Sequence, residues 1–269
     1  MIKPGEIQKI AAAQGLRDTQ IEKDYVIGWV LNGLARQKEL KRTLIFKGGT
    51  SLRKIYFPNY RLSEDLDFTF VGNKLNEEKI IKSFELLSEW VFEESRIEIR
   101  IEDITEHTTG NINFYLTYTG ALGGKGAHKK IKIDISSDEI ICCPPEERNV
   151  LNEYSDLESY LLLVYSLKEI IAEKMRSVMQ RTEPRDIYDL WYLFEYEGAK
   201  IEEHVYAFRR KAENKGLDSN KFVETVKRKE QIFKRQWENR LVNQVRELPN
   251  FDDIWRELGK HLRRFEKFK

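Results

Sequence analysis

Residues 130–136 read KIKIDIS. Ile131, Ile133 and Ile135 alternate with Lys132, Asp134 and Ser136, and a period of two puts the two sets on opposite faces of a strand. A helix would scatter the isoleucines around its circumference, so this segment requires a sheet with one face on a core and the other polar. Residues 65–71, DLDFTFV, repeat the pattern, with Leu66, Phe68 and Phe70 opposing Asp65, Asp67 and Thr69. Further strand-like stretches run over 96–104 and 111–119. The short apolar run Leu44–Phe46 ends at Gly48-Gly49, which predicts a strand, a tight turn and a short helix through Leu52–Tyr56; Pro58-Asn59 is another turn signal.

Helical spacing appears first over residues 18–39, with Ile21, Tyr25, Val26, Trp29, Leu31 and Leu34 on an apolar stripe, and again at about 76–94. From about residue 155 the pattern becomes helical throughout. Ser155-x-x-Glu158 and Ser166-x-x-Glu169 match a capping box, and helices are expected near 156–163, 166–181, 185–197, 201–213, 219–239 and 251–266, with breaks at Pro184, Gly198, Gly216 and Pro249. The expected class is α+β: a mixed sheet with flanking helices and an N-terminal helix over 1–150, then a helical domain over 151–269.

The chain has 269 residues, 41% of them hydrophobic, enough to bury a sizeable core. Its longest apolar run, Tyr160–Tyr165, falls far short of the ~20 residues of a membrane span. The N-terminus MIKPGEIQKI lacks the apolar region of a signal peptide, and Cys142 and Cys143 are adjacent, which gives no disulfide framework. The expectation is a soluble, cytoplasmic protein without a membrane partner. The net charge of +1 excludes a uniformly basic nucleic-acid-coating protein, but it hides a division. Residues 200–269 hold 19 Lys+Arg against 12 Asp+Glu, a balance of +7, and the first 199 residues hold 27 against 33, a balance of −6.

Asp65 and Asp67, at i and i+2, point to the same side of a strand, and Asp134 lies opposite an isoleucine face on another. If those strands are neighbours, three carboxylates converge. Like charges held close repel unless cations neutralise them, and hard oxygen donors suit Mg²⁺ (or Mn²⁺), in a site able to promote phosphoryl transfer. The glycines of Gly48-Gly49-Thr50-Ser51 let backbone amides approach an anion at a strand-to-helix turn.

In this order the motifs resemble the nucleotidyltransferase superfamily, with Phe46-Lys47-Gly48-Gly49, then Asp65-Leu66-Asp67-Phe68, then Asp134. The 15-residue spacer between Gly49 and Asp65 is longer than the superfamily's usual form and is similar to that of AbiEii/AbiGii-type toxins. Their pattern matches Lys47-Gly48-Gly49-Thr50-Ser51-Leu52, Arg61-Leu62-Ser63-Glu64-Asp65-Leu66-Asp67-Phe68, Lys132-Ile133-Asp134, Ala172-Glu173-Lys174, and Arg181 through Leu190. Val178 departs from a small residue of the helical block, and the basic C-terminal region lies outside the resemblance.

The resemblance implies a nucleotidyltransferase-like fold and an enzyme that moves a nucleoside monophosphate from an NTP to an acceptor hydroxyl. It also implies a toxin of a toxin–antitoxin or phage-abortive-infection pair. Asp65, Asp67 and Asp134 would hold metal. Gly48, Gly49, Thr50, Ser51 and Ser63 would bind the nucleotide, Lys174 would neutralise phosphate, and Asp186 and Asp189 would close the site. An RNA acceptor, tRNA above all, suits the +7 region, and a cognate antitoxin is a further partner. Nucleotidylation of a protein or small molecule, or a silent nucleotide- or partner-binding module, stand as alternatives. Asp186 also fits a first-turn cap after Pro184, and Arg185 an i,i+4 pair with Asp189. Residues 120–126 lack the P-loop's spacing and read as a hairpin loop, with Lys125, Lys129 and Lys130 as a basic flap. His107, His128, His204 and His261 show no zinc spacing, and Cys142-Cys143 reads as a buried pair.

Overall fold

The computed structural model describes residues 1–106, 110–124, 126 and 129–268. His107, His128 and Lys125 therefore lie outside the described residues. The chain divides into two compact units, Met1–Asp138 with Pro145–Val164, and Glu139–Pro144 with Tyr165–Lys269.

The first unit holds a seven-stranded mixed sheet: β1 (Leu44–Lys47), β2 (Leu66–Phe70), β3 (Glu98–Glu106), β4 (Ile112–Thr119), β5 (Lys130–Ser136), β6 (Glu146–Asn149) and β7 (Leu161–Val164), in the order β3-β4-β5-β2-β1-β7-β6. β2 runs antiparallel to β1 and parallel to β5, and β1 runs parallel to β7. Around it are α1 (Pro4–Gln14), α2 (Asp18–Arg36), α3 (Lys38–Thr43), α4 (Gly48–Ser51, continued by a π-helical turn Leu52–Tyr56) and α5 (Glu77–Ser95).

Alternation along the strands produces the two faces. Leu66 and Phe68, Ile112, Phe114 and Leu116, and Ile131, Ile133 and Ile135 are all buried in one core with Ile21, Tyr25, Val26, Trp29, Leu31 and Leu34 of α2 and Ile80, Phe84, Leu87 and Val91 of α5. Phe84 meets Phe114 edge-on at 5.0 Å between ring centroids, a favoured aromatic geometry. The alternate residues Asp67, Lys132, Asp134, Asn113, Tyr115 and Thr117 stand half-buried or exposed on the other face.

Several local expectations are overturned. The helix expected near 156–163 is absent. Leu161–Val164 instead forms β7, between β1 and β6, and Ser155 donates its N–H and Oγ–H to Glu6 rather than capping a helix. A short apolar run suits a buried strand as well as a helix, and here pairing with β1 decides. α1 was not anticipated, although Pro4 occupies its first turn and Gly15 ends it at φ 66°. The helix expected over 18–39 stops at Arg36 as α2 and restarts as α3, and β6 is an additional short strand. Lys129 is no flap residue: it is buried against Glu22 at 2.7 Å and donates to Gly123 O, and Lys130 pairs with Glu102 and Asp103 at 3.1 Å each.

The second unit is helical: α6 (Leu167–Gln180), α7 (Pro184–Trp191, continued by a π-helical turn Tyr192–Tyr196), α8 (Val205–Asn214), α9 (Phe222–Arg228), α10 (Glu230–Leu241) and α11 (Phe251–Phe265). Ser166 caps α6 as its capping box predicts, accepting from Glu169 N. The single helix expected over 219–239 is broken at Lys229, whose ammonium donates to the carbonyls of Val178, Met179 and Arg181. These are orphan carbonyls at the end of α6, and a cation there answers both hydrogen bonding and helix dipole. Cys142 and Cys143 are half-buried, their N–H groups donating to the Glu169 carboxylate. Glu169 and Lys211 are both fully buried and paired at 2.7 Å. Among the described residues no helix is long and apolar enough to cross a membrane.

Truncating the aromatic centre of the first unit should be costly. Phe114→Ala is expected to destabilise it by about 3–5 kcal/mol through lost burial and the cavity left beside Phe84, measured by urea denaturation.

Candidate active site

Three consecutive charged residues of α2 hold three separate pieces of the first unit. Glu22 accepts from Leu122 N at 2.7 Å and pairs with Lys129, fixing the β4–β5 connection. Lys23 pairs with Glu64 at 2.7 Å, next to Asp65. Asp24, buried, takes Lys54 at 2.5 Å, Arg53 at 3.4 Å and the Tyr154 hydroxyl at 2.7 Å, tying α2 to the helical turn that follows the glycines. Burial pushes the Asp24 carboxyl up, but Lys54 and Arg53 outweigh it and hold it below the ordinary value.

The Gly48-Gly49 turn comes directly against the acidic strand. Gly48 has φ +82°, the left-handed region, and a Cβ there would collide with the Asp67 carboxylate and stand 3.0 Å from its Cγ. At Gly49 a Cβ would lie 2.8 Å from Arg61 Nη2 and 3.0 Å from Ser63 Oγ. Gly48 therefore needs glycine for both its backbone and the close approach, whereas at Gly49 the Arg61 side chain would have to give way. Thr50 Oγ1 donates to Asp65 O, and Ser51 Oγ donates to Gly48 O at 2.8 Å. Gly48, Gly49, Thr50, Ser51, Ser63, Asp65 and Asp67 are thus one connected group.

Sheet register adds Asp134. Lys47 pairs with Asp67 across β1–β2, Asp67 with Asp134 across β2–β5, and Asp134 with Asn113 across β4–β5. The side chains of such a row share a face. Asp65 precedes the first residue of β2. The Asp134 carboxylate accepts from Lys132 at 2.7 Å. Burial works against the Lys132 ammonium, but the hydrogen bond and charge of Asp134, with Asp65 adding to them, raise it above its ordinary value. Among the described residues no three His, Cys, Asp or Glu side chains gather as a metal-holding group. Asp134 is brought level with Asp67, and it is Lys132 that neutralises it.

In the second unit the structure brings together Lys174, Asp186 and Asp189. Lys174 Nζ stands 3.0 Å from Asp186 Oδ1 and 2.7 Å from Asp189 Oδ2, and both carboxylates are fully buried. Arg181 adds a two-pronged contact to Asp186, Nε–Oδ2 2.7 Å and Nη2–Oδ1 3.0 Å. Burial raises the Asp186 carboxyl, yet Lys174 and Arg181 leave it below the ordinary value. Asp189 pairs with Lys174 from the neighbouring helix, and Arg185 stands 3.9 Å from Glu183. Val178 is buried, as a packing role requires. His204 is buried, with its imidazole held below the ordinary value by burial, and His261 lies 2.7 Å from Glu195.

Lys47, Arg61 and Lys132 stand inside the sequence motifs, but only the fold places them beside the glycines and carboxylates. For Asn113 only pairing between β4 and β5 reveals the neighbour.

Two expectations follow. Gly48→Ala should cost about 1–3 kcal/mol, through the left-handed backbone and the collision with Asp67, and less in an Asp67→Ala background, in a double-mutant cycle read by denaturation. Lys174→Met leaves buried carboxylates short of a cation and should cost about 3–5 kcal/mol at neutral pH. Asp186 is depressed when folded, so its contribution is present above its unfolded value and lost as pH falls through the folded one. The gap between wild type and Lys174→Met should accordingly narrow on acidification below pH 3.8, the ordinary carboxyl value.

Comparison with known proteins follows the same lines. The family model described as "Nucleotidyl transferase AbiEii toxin, Type IV TA system" matches residues 29–257. The fold is similar to that of MenT4, a nucleotidyltransferase toxin from Mycobacterium tuberculosis H37Rv, with TM-score 0.71 and 18% identity over 97% of this chain and 89% of that one. It is also similar to JHP933 from Helicobacter pylori, with TM-score 0.58 and 17% identity over 94% of each chain. No curated protein matches the sequence. The motif order Gly48-Gly49, Asp65-x-Asp67, Lys132-x-Asp134 and Lys174 through Asp189 has its explanation in that match: the chain belongs to the AbiEii nucleotidyltransferase toxin family of type IV toxin–antitoxin systems.

Proposed function

We propose that the protein transfers a nucleoside monophosphate from an NTP to an acceptor hydroxyl on RNA, tRNA foremost, in the cytoplasm, as the toxin of a pair that aborts phage infection and is restrained by a cognate antitoxin. The observation that carries this reading is the seating of Asp67 on Gly48. It joins a turn suited to phosphates and a carboxylate row suited to cations.

In this reading the backbone amides of Gly48, Gly49 and Thr50 and the hydroxyls of Ser51 and Ser63 bind the triphosphate. The Thr50 hydroxyl is committed to Asp65 O, which leaves its amide. The acceptor oxygen bonds to the α-phosphorus, the bond from that phosphorus to the bridging oxygen breaks, and pyrophosphate departs. The acceptor's proton passes to Asp134.

The donor chemistry fits a hard divalent cation, since Asp67 and Asp134 bring carboxylate oxygens to one level of adjacent strands, with Asp65 just before β2. Asp65 and Asp67 would hold Mg²⁺ (or Mn²⁺), with Asp134 joining them on parting from Lys132. When bound, the ion supplies charge neutralisation on the triphosphate and acidifies the acceptor hydroxyl. Lys174, held between the buried Asp186 and Asp189, would turn to phosphate charge only on parting from one of them. The exposed Lys227, Arg228, Arg263 and Arg264 within the +7 region of residues 200–269 support a polyanionic acceptor.

Purified protein given labelled NTPs, Mg²⁺ and total RNA should label a discrete RNA band, and Asp67→Ala should abolish it. Label persisting in Asp67→Ala overturns the mechanism. Label on polypeptide or on an added small acceptor moves the acceptor to those classes, and Mg²⁺·NTP binding without pyrophosphate release makes the protein a binding module.

A further inference from the structure

Strand β3 is one edge of the sheet, paired among the described residues with β4 alone. Its regular ladder is short and sharply bounded. Arg96, in the left-handed region at φ 64°, ends α5 just before it, and Asp103 at φ 54° marks the register shift between Glu102 and Thr105. Residues 98–102 therefore offer a five-residue length of regular edge backbone.

Beside that edge runs α5, and between them lies a groove of about 630 Å³ lined by Glu85, Ser88, Glu89 and Phe92 of the helix and residues 98–101 of the strand. The helix residues fall at i, i+3, i+4 and i+7, one continuous stripe. Phe92 is 42% exposed, and Ile99 and Ile101 are partly buried, so apolar side chains share the lining with charged ones. Glu85, Glu89 and Glu98 make no ion pair among the described residues and face one lining guanidinium, that of Arg100.

We propose that this groove is a docking site for a basic, extended segment of a partner protein, added antiparallel or parallel to β3 as an eighth strand. Main-chain groups of residues 98–102 supply the hydrogen bonds; the segment's side chains on the α5 side meet Phe92, Ile99 and Ile101 and, along the same helix, Glu85 and Glu89, and those of its other face meet Glu98. A strand lying between a sheet edge and a helix is an established mode of peptide recognition. Charge selects the occupant. The lining carries three carboxylates against one guanidinium, and a second copy would bring the same net negative charge to the edge, whereas a basic segment neutralises it. Nucleic acid is disfavoured by the same carboxylates.

The probe is a fluorescein-labelled peptide of lysines and valines in adjacent pairs, so that each face carries both, titrated against the full chain by anisotropy. Saturable binding is expected, weakened at least tenfold in Glu85→Lys/Glu89→Lys and at least tenfold when alternate peptide nitrogens are methylated, with slowed amide exchange confined to residues 97–102. The two glutamates lie on the exposed side of α5, and circular dichroism establishes that the double variant is folded. No saturable binding at 1 mM overturns the proposal, as does binding indifferent to methylation and to charge reversal. A dimer in sedimentation that the double variant abolishes assigns the groove to a second copy and also overturns it.

Discussion

Parallel pairing of β2 with β5 sets Asp67 directly opposite Asp134, and much of the first unit is arranged around that opposition. Two carboxylates on adjacent strands repel. The isoleucine face of β5 nevertheless prevents relief by slippage, since a one-residue shift would turn Ile131, Ile133 and Ile135 toward solvent. Hydrophobic burial thus fixes a register that electrostatics alone would disfavour. Countercharge has to come to the carboxylates. Lys132 does so on the same face, two residues before Asp134, and Lys47 occupies the Asp67 level on β1. The absence of a side chain at Gly48 lets the Asp67 carboxylate lie against the turn instead of being displaced by it.

Such a row is useful only if its flanking turns stay in place, and α2 supplies that. Glu22, Lys23 and Asp24 each reach a different segment, although Glu22 and Asp24 lie in an otherwise apolar interior. Buried pairs of this kind contribute little net stability compared with apolar residues of the same volume, but a broken one leaves a desolvated charge. Their effect is to make alternative placements of residues 54, 64 and 129 costly. The same device recurs in the second unit, where Lys174 sits between Asp186 and Asp189, and Glu169 receives Lys211 together with the amides of Cys142 and Cys143.

The two-faced strands, the helices α2, α5 and α11, and the motif order were readable because each rests on local periodicity or spacing. Nonlocal choices were not. Leu161–Val164 carries no mark separating strand from helix, and only its place between β1 and β6 decides. Asp186 and Asp189 could be put on one helix face from their spacing, but Lys174 between them depends on how α6 packs against α7. Nothing local in the sequence names a partner for Lys132. Its pairing with Asp134 spans two residues of the same strand, a contact allowed by side-chain direction but not required by it. Lys129 read as a surface flap because a lysine in a glycine-rich loop usually is one, whereas a buried glutamate on α2 draws it inward.

Charge counting along the chain meets a related limit. The division into −6 and +7 at residue 200 cuts through ion pairs that fold together. Lys211 is answered by Glu169 at 2.7 Å and Glu173 at 3.5 Å, Lys215 by Glu139 at 3.4 Å, and Lys260 by Glu195 at 3.6 Å, every acid lying on the other side of the cut. Lys229 is spent on carbonyl groups at the end of α6. Part of the apparent cationic excess is thus internal neutralisation rather than surface potential. Counterion release on binding a polyanion counts only the cations that meet phosphates. Any such contact by this unit falls to exposed side chains such as Lys227, Arg228, Arg263 and Arg264, whose number is smaller than the sequence balance suggests.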